Sequence, residues 1–217
     1  MTRKTDLRGA DAEVLQILAL QSGDARRIRR VLNGAALTPA VIPHLIPLLG
    51  LPRTAVDAMR ALQTVAPQRP GVLIDALLDV RHPAVMRRRL ARVLSSCRTA
   101  TVIDALLQGC EDDHVSVRMQ CARTLFVIRR GRPDVEIDAD GVIRLIKREI
   151  AGGIEHVGLL FTLLGLILPA GPVRAAYRSL RAGSAYARGT AVEYLNSVLP
   201  EEIKGHLDEI LTRMQSR

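Results

Sequence analysis

The sequence of 217 residues predicts an all-α solenoid, in which pairs of short helices stack on one another. Three observations predict this fold. An apolar segment recurs at a fixed period, apolar residues within each copy follow helical spacing, and Pro or Gly interrupts the pattern between helices. Such short helices cannot bury their apolar faces alone, so each must pack on its neighbours. We find no segment that predicts a β-strand with a partner strand.

The repeat is clearest in the first helix of each pair. The segment Ile-Asp-Ala-Leu-Leu at residues 74–78 recurs unchanged at 103–107, and the related segment Leu-Ile-Pro-Leu-Leu occupies residues 45–49. Both intervals are 29 residues. Three copies in register predict at least three successive helix pairs in this part of the chain.

The second helices align less simply. Val56, Val85 and Val117 correspond if the third copy carries a three-residue insertion in the turn before Val117. His82 and His114 then fall three residues before the last two valines. This spacing predicts that the two histidines share a capping role in the turn.

Helix-breaking residues and the apolar periodicity together predict where the helices begin and end. Pro43 and Pro47 lie inside the first helix of one pair, where each removes a hydrogen bond, so we expect that helix to be bent or broken. The stretch from residue 132 to 140 is predicted to be a long loop. The predicted helices lie near residues 10–20, 24–33, 39–49, 53–66, 70–80, 83–96, 99–109, 114–130, 140–151, 153–168, 171–182, 184–198 and 201–214.

Composition and patterning predict a cytoplasmic protein. The N-terminus is charged and lacks the apolar core of a secretory signal. The longest apolar run, residues 157–168, is shorter than the roughly 20 residues of a membrane span, so we expect a buried helix there. Cys97, Cys110 and Cys121 are odd in number and follow no disulfide framework, which is typical of reduced thiols.

No residue pattern predicts a metal site, a cofactor site or a catalytic centre. Cys110, His114 and Cys121 are the nearest approach to a metal site, but a closed zinc site needs four ligands at more regular spacing. Neither His82 nor His114 has a second histidine four residues away. We therefore expect no metal, no cofactor and no catalytic residue.

Charge is uneven along the chain. Residues 1–130 hold 20 Lys and Arg against 11 Asp and Glu, whereas residues 131–217 hold 11 of each. The net charge of +9 therefore lies in the first part, and much of it falls on predicted second helices. Because a GC-rich genome also favours arginine, a merely solvated surface remains the other interpretation of any single Arg. The candidate partner-binding residues are Arg60, Arg88, Arg89, Arg92 and Arg123, with Arg89 closest to the expected buried stripe of Val85, Leu90 and Val93.

The helix pairs resemble HEAT repeats. Residues 117–125, Val-Arg-Met-Gln-Cys-Ala-Arg-Thr-Leu, are similar to the start of a HEAT second helix, and the resemblance extends from about residue 38 to 199. It implies a right-handed α-α superhelix of about six helix pairs whose second helices line a concave surface. The corresponding organisation is one domain, 1–217, with an atypical N-terminal cap at 1–37, basic repeats at 38–130, a loop at 131–140, and neutral repeats with a cap at 141–217.

The end of the chain shows a narrower resemblance. Residues 159–169, 173–177 and 188–200 are similar to the end of HEAT domains appended to bacterial nucleotide-transporter-like membrane proteins. This resemblance implies a regulatory or assembly module. Transport is not implied, because the chain lacks the spans of a transporter.

Three functions follow as hypotheses, and the first is preferred. The chain is expected to be a protein-interaction scaffold that presents a basic concave surface to an acidic protein or peptide. The alternative is nucleic-acid binding through phosphates, although four of the five aromatic residues lie beyond the basic region and a base-stacking platform needs aromatics among the cations. The second alternative is a lyase- or glycosylase-like enzyme, which would need a deep pocket with a perturbed acid.

Overall fold

The computed structural model of the protein describes residues 3–34, 37–132 and 134–215. All regular secondary structure in those ranges is helical, and they contain no β-strand. The prediction of an all-α fold is therefore confirmed. The chain divides into two compact units, Met1–Gly109 and Cys110–Arg217.

The first unit is a set of short helices joined by tight turns. Its helices in the described ranges are α1 (Arg3–Gln21), α2 (Ala25–Gly34), α3 (Ile42–Leu45), α4 (Ala55–Val65), α5 (Pro70–Leu78), α6 (Ala84–Val93) and α7 (Ala100–Gly109). Short 3-10 turns lie at Pro39–Val41, Pro47–Gly50, Ala66–Gln68 and Leu94–Ser96.

Prolines break the first helix of one repeat, as predicted. Residues 39–50 form a 3-10 turn, the four-residue α3 and a second 3-10 turn instead of one continuous helix. Pro43 and Pro47 cannot donate the hydrogen bond that a continuous helix requires. Leu45 and Leu49 are nevertheless fully buried, and the broken segment packs against α4. The break therefore changes the backbone but not the apolar face.

The 29-residue period reappears as a period of burial. Leu73 and Leu77 of α5 are buried, and so are their counterparts Val102 and Leu106 of α7. These two helices pack together, and α6, in which Leu90 is fully buried, packs against both α4 and α5. Residues one period apart thus occupy equivalent positions in the core of this unit.

The expected alignment of the second helices is wrong by one residue. Val117 is fully buried, whereas Val85, which we aligned with it and placed in the buried stripe, is 37% exposed. Met86 is buried, and the burial patterns of the two helices match when Met86 is aligned with Val117. The turn before the third copy is therefore two residues longer than its predecessor, not three.

The same shift corrects the prediction for the two histidines. His114 is the N-cap residue of its helix, but the N-cap residue of α6 is Pro83. His82 lies one position earlier, so the two histidines do not share a capping role. Neither helix receives a side-chain hydrogen bond from its N-cap residue.

The second unit is organised around one apolar helix, α10. This helix packs against α8, α9, α11 and α14. The helices of the unit in the described ranges are α8 (Val115–Gly131), α9 (Ala139–Ala151), α10 (Val157–Ile167), α11 (Ala170–Ala182), α12 (Ala185–Val198), α13 (Glu201–Lys204) and α14 (Leu207–Gln215).

Most predicted features of this unit are present. Leu160, Leu163 and Leu164 of α10 are buried, which confirms the buried apolar helix. The described residues between α8 and α9 form the predicted loop. The last predicted helix is instead split into α13 and α14, with Gly205 directly after α13. Among the helices of the described ranges, none combines the length and apolarity that a membrane span requires.

Candidate functional site

The arginines that the sequence presents as one basic set divide into two groups in the structure. Members of the first group donate hydrogen bonds to backbone carbonyls at helix ends or in the turns between helices. Members of the second group are exposed. Only the second group is available to a partner.

Arg89 belongs to the first group. Its Nη1 donates to the backbone carbonyl of Leu49, at the end of the broken helix in the preceding repeat. Arg87 is buried, and its Nε donates to the carbonyl of His82 at 3.1 Å. Both side chains therefore join backbone segments within the first unit. This contact favours a structural role for Arg89, the least secure of the five predicted contact residues.

Arg118 of α8 is the counterpart of Arg87 in the second unit. Its Nη1 donates to the carbonyls of Asp112 and Asp113 at 3.0 and 3.1 Å. Its Nε lies 2.6 Å from Glu149 Oε1, and both side chains are almost completely buried. A further contact of 3.5 Å joins its Nη2 to Glu155. This side chain holds the turn before α8 against the end of α9.

Arg88 and Arg92 belong to the exposed group. They lie four residues apart on α6, so they project from the same face of the helix. Within the described ranges, neither side chain makes a hydrogen bond or an ion pair. Arg60, on α4, is also exposed, but its Nη1 lies 3.6 Å from Asp57 Oδ1. Arg88 and Arg92 are therefore available in the first unit to an external anion.

Arg123, the fifth predicted contact residue, borders a groove in the second unit. The groove runs over α10, between α8 and α11, and encloses about 460 Å³. A second cavity of about 380 Å³ continues it and shares four of its lining residues. The residues that line the main cavity are Arg123, Phe126, Val127, Gly158, Phe161, Thr162, Gly165, Ala170, Val173, Arg174 and Tyr177.

Two glycines of α10 keep the floor of this groove low. A Cβ atom at Gly158 would lie 3.3 Å from the hydroxyl of Tyr177, and one at Gly165 would lie 3.1 Å from Cε2 of Phe126. The aromatic side chains from α8 and α11 therefore approach the backbone of α10 more closely than a larger residue allows. Gly158 and Gly165 lie seven residues apart, on one face of the helix.

Three of the five aromatic residues of the chain line this groove. The rings of Phe161 and Tyr177 pack with their centroids 4.9 Å apart. The guanidinium of Arg181 lies 5.8 Å from the centre of the Tyr177 ring. In the second unit, aromatic and cationic side chains are thus neighbours, which the separation of the two residue types along the sequence does not indicate.

The border of the groove is cationic. Arg123 stands on α8 and Arg174 on α11, so the two lie on helices that flank α10. Both are exposed, and neither makes a side-chain hydrogen bond or ion pair with any residue that the structure describes. None of the described residues that line the main cavity carries a carboxylate. Arg129 and Arg130 line the adjoining cavity, although Arg129 donates to the carbonyl of Leu166.

Sequence reasoning found Arg123 but missed Arg174. Arg174 lies in residues 131–217, where acidic and basic residues balance as a block, although no Asp or Glu occurs between Glu155 and Glu193. One signal was present: the segment that contains Arg174 and Tyr177 also carries the narrower resemblance noted above. Nothing in that segment by itself pairs it with α8.

No cysteine is among the described residues that line this groove. Cys97, Cys110 and Cys121 are all buried and form no disulfide. Burial raises the pKa of the Cys110 thiol well above its usual range. In the ranges that the structure describes, no group of three or more His, Cys, Asp or Glu side chains is placed to hold a metal ion.

Comparisons with known proteins add no assignment. No family model matches the chain, and a search of curated proteins also finds no match. The resemblance to HEAT repeats therefore stays a prediction.

Proposed function

We propose that this protein is a non-catalytic interaction scaffold that binds an acidic protein partner through exposed arginines. One observation carries the proposal. Arg88, Arg92, Arg123 and Arg174 are exposed and have no side-chain partner among the described residues, while neighbouring arginines are held by backbone carbonyls.

Arginine suits this role because its planar guanidinium can donate two parallel hydrogen bonds to a carboxylate. Helices hold the Cα atoms of Arg88 and Arg92 at fixed positions on one face of α6. A partner therefore meets cations whose backbone is already ordered, which lowers the entropy cost of association. The chemistry needed is binding alone.

The architecture that we propose is a HEAT-like solenoid of about six helix pairs, with its second helices presenting Arg88, Arg92 and Arg123. The 29-residue period of burial in the first unit supports this proposal. Buried arginines at equivalent positions of α6 and α8, Arg87 and Arg118, support it as well. Repeats of this kind expose long continuous surfaces that commonly bind other proteins.

Affinity capture with a charge-reversed pair tests the proposal. The wild-type chain and the variant R88E/R92E are each incubated with lysate of the source cells, with and without nuclease, and the bound proteins are compared. We expect at least one acidic protein that the wild type retains, with or without nuclease, and that the variant loses.

The matched control is R26E/R30E. Arg26 and Arg30 are also exposed, lie four residues apart on α2, and make no side-chain bond within the described ranges. The control carries the same change in net charge and is expected to retain the partner. If nuclease removed every bound protein, the surface would recognise phosphates and the proposal would be overturned. Equal loss in both variants would show attraction by net charge alone.

A further inference from the structure

We propose that the groove between α8, α10 and α11 binds a linear acidic peptide segment that inserts one large apolar side chain between Arg123 and Arg174. The inference rests on the proposed function, because it specifies the chemistry of a partner at one of the two arginine surfaces. It states that the second unit binds a peptide segment and not the flat surface of a folded protein.

The shape of the groove indicates a linear segment. Its main cavity of about 460 Å³ falls within the range of about 300–1,000 Å³ that is usual for ligand pockets. The adjoining cavity of about 380 Å³ shares Phe126, Gly165, Ala170 and Arg174 with it, so the two form one elongated depression along α10. A segment of chain can follow such a depression, whereas a broad folded surface would be held off by the flanking helices.

The lining indicates an apolar anchor residue. Val127 is 57% exposed on α8, although it lies beside the apolar rings of the groove. Phe126 and Tyr177 are half-buried, so part of each ring faces the cavity. An inserted Leu, Phe or Trp side chain would remove these apolar surfaces from water, which favours binding.

The charges indicate that acidic residues flank the anchor. Arg123 and Arg174 stand on the two helices beside the floor, and Arg130 lines the adjoining cavity. No described lining residue of the main cavity supplies a carboxylate to neutralise them. Carboxylates on either side of an apolar anchor can therefore reach both guanidinium groups at once, and a basic segment is repelled.

A random peptide library tests this proposal without knowledge of the natural partner. Short random peptides displayed on phage are selected on the full-length chain at physiological salt. The enriched consensus is then synthesised with a fluorescent label, and its affinity is measured by anisotropy. We expect an enriched sequence in which Leu, Phe or Trp lies within a few residues of Asp or Glu.

Two variants locate the peptide. V127D places a carboxylate on the wall of the groove, and R123E/R174E reverses both rim charges. Each is expected to weaken binding of the consensus peptide by about tenfold or more, which corresponds to about 1.4 kcal/mol. The matched control V80D makes the same substitution at a valine that is 75% exposed in the first unit, and it should leave the affinity unchanged.

Several outcomes would overturn the inference. These are the absence of any enriched sequence, a consensus without acidic residues, or equal affinity of the wild type and V127D for the consensus peptide. Stronger binding of duplex DNA than of the consensus peptide, lost in R123E/R174E, would assign the groove to phosphates. The groove could give one of these negative results while R88E/R92E still lost an acidic protein in the capture experiment. In that case the proposed function would be retained and only the peptide site in the groove would be rejected.

Discussion

Two arginines of the same helix, Arg118 and Arg123, show how environment divides one residue type. Arg118 is buried against Glu149 and two backbone carbonyls, whereas Arg123 is exposed beside the groove. Because an α-helix has 3.6 residues per turn, side chains five residues apart point about 140° away from each other around the helix axis. The two arginines therefore face different surroundings. Their substitution should therefore have different consequences.

We predict that R118M lowers the free energy of unfolding by about 3–5 kcal/mol, because it leaves the carboxylate of Glu149 buried without its cation. R123M should change the free energy of unfolding by no more than about 0.5 kcal/mol, since it alters an exposed side chain. Urea unfolding followed by circular dichroism measures both. The double variant R118M/E149L should recover part of the loss. Equal effects of R118M and R123M would contradict this assignment.

The Cys110 thiol gives a pH-dependent prediction. Its pKa is raised above the ordinary value of 9.0, chiefly by burial, so the folded protein holds it protonated while the unfolded chain releases the proton above about pH 9. The contribution of this thiol to stability is therefore complete below pH 9 and falls as the pH rises above it. The free energy of unfolding of the wild type should decrease more steeply between pH 8 and 10 than that of C110A. Identical slopes would show that the thiol titrates normally.

At the scale of elements, sequence reasoning located most helices because their causes are local. Apolar spacing and prolines predicted the broken first helix and the buried helix α10, and both are present. The predicted alignment of α6 with α8 was wrong by one residue, because an insertion in a turn leaves no periodic signal in the sequence. The last helix was split because Gly205 interrupts a region that the pattern alone reads as continuous.

The end of α9 is closed by a local backbone motif at Gly152 and Gly153. Gly153 adopts a φ of 79°, and its N–H donates to the carbonyl of Ile150 at 2.8 Å. The N–H of Ile154 donates to the carbonyl of Glu149 at 2.9 Å. These two bonds form a Schellman motif, which satisfies carbonyls that the helix leaves unpaired.

Two Gly-to-Ala substitutions should therefore have opposite signs. G153A forces an L side chain into the left-handed region and is expected to lower the free energy of unfolding by about 1–2 kcal/mol. G189A lies inside α12 with open space around the added methyl, and it should raise the free energy of unfolding by about 0.5–1 kcal/mol. Thermal unfolding followed by circular dichroism compares the two. A stabilising G153A would contradict the assigned backbone conformation.

At the scale of the whole molecule, net charge and site charge differ. The excess of +9 is confined to residues 1–130, yet the groove combines Arg123 from that part with Arg174 from the balanced part. General attraction for anions therefore follows from the net charge of the sequence. Selective recognition depends instead on a few side chains that folding brings together.

Salt dependence separates these two kinds of binding. We predict that affinity for the selected consensus peptide falls by less than about tenfold between about 50 and 200 mM salt, because it involves few charges and an apolar anchor. A protein that neutralises 6–10 phosphates loses about 10³–10⁵ in affinity over the same range. Anisotropy titrations of the peptide and of duplex DNA measure the two slopes. A peptide slope as steep as that of DNA would contradict an apolar contribution.

The sequence by itself determined the all-α class, the 29-residue period and most helix positions, because these follow from spacing and breakers within short segments. It also determined the net charge of +9, which lies in residues 1–130. Only the tertiary structure decided which arginines are free. That choice depends on which helix end lies opposite each guanidinium: Arg89 meets the carbonyl of Leu49, and Arg92 meets none that the structure describes. Tertiary packing likewise created the groove, because Phe126 of α8 and Tyr177 of α11 approach the backbone of α10 closely where that helix supplies Gly165 and Gly158.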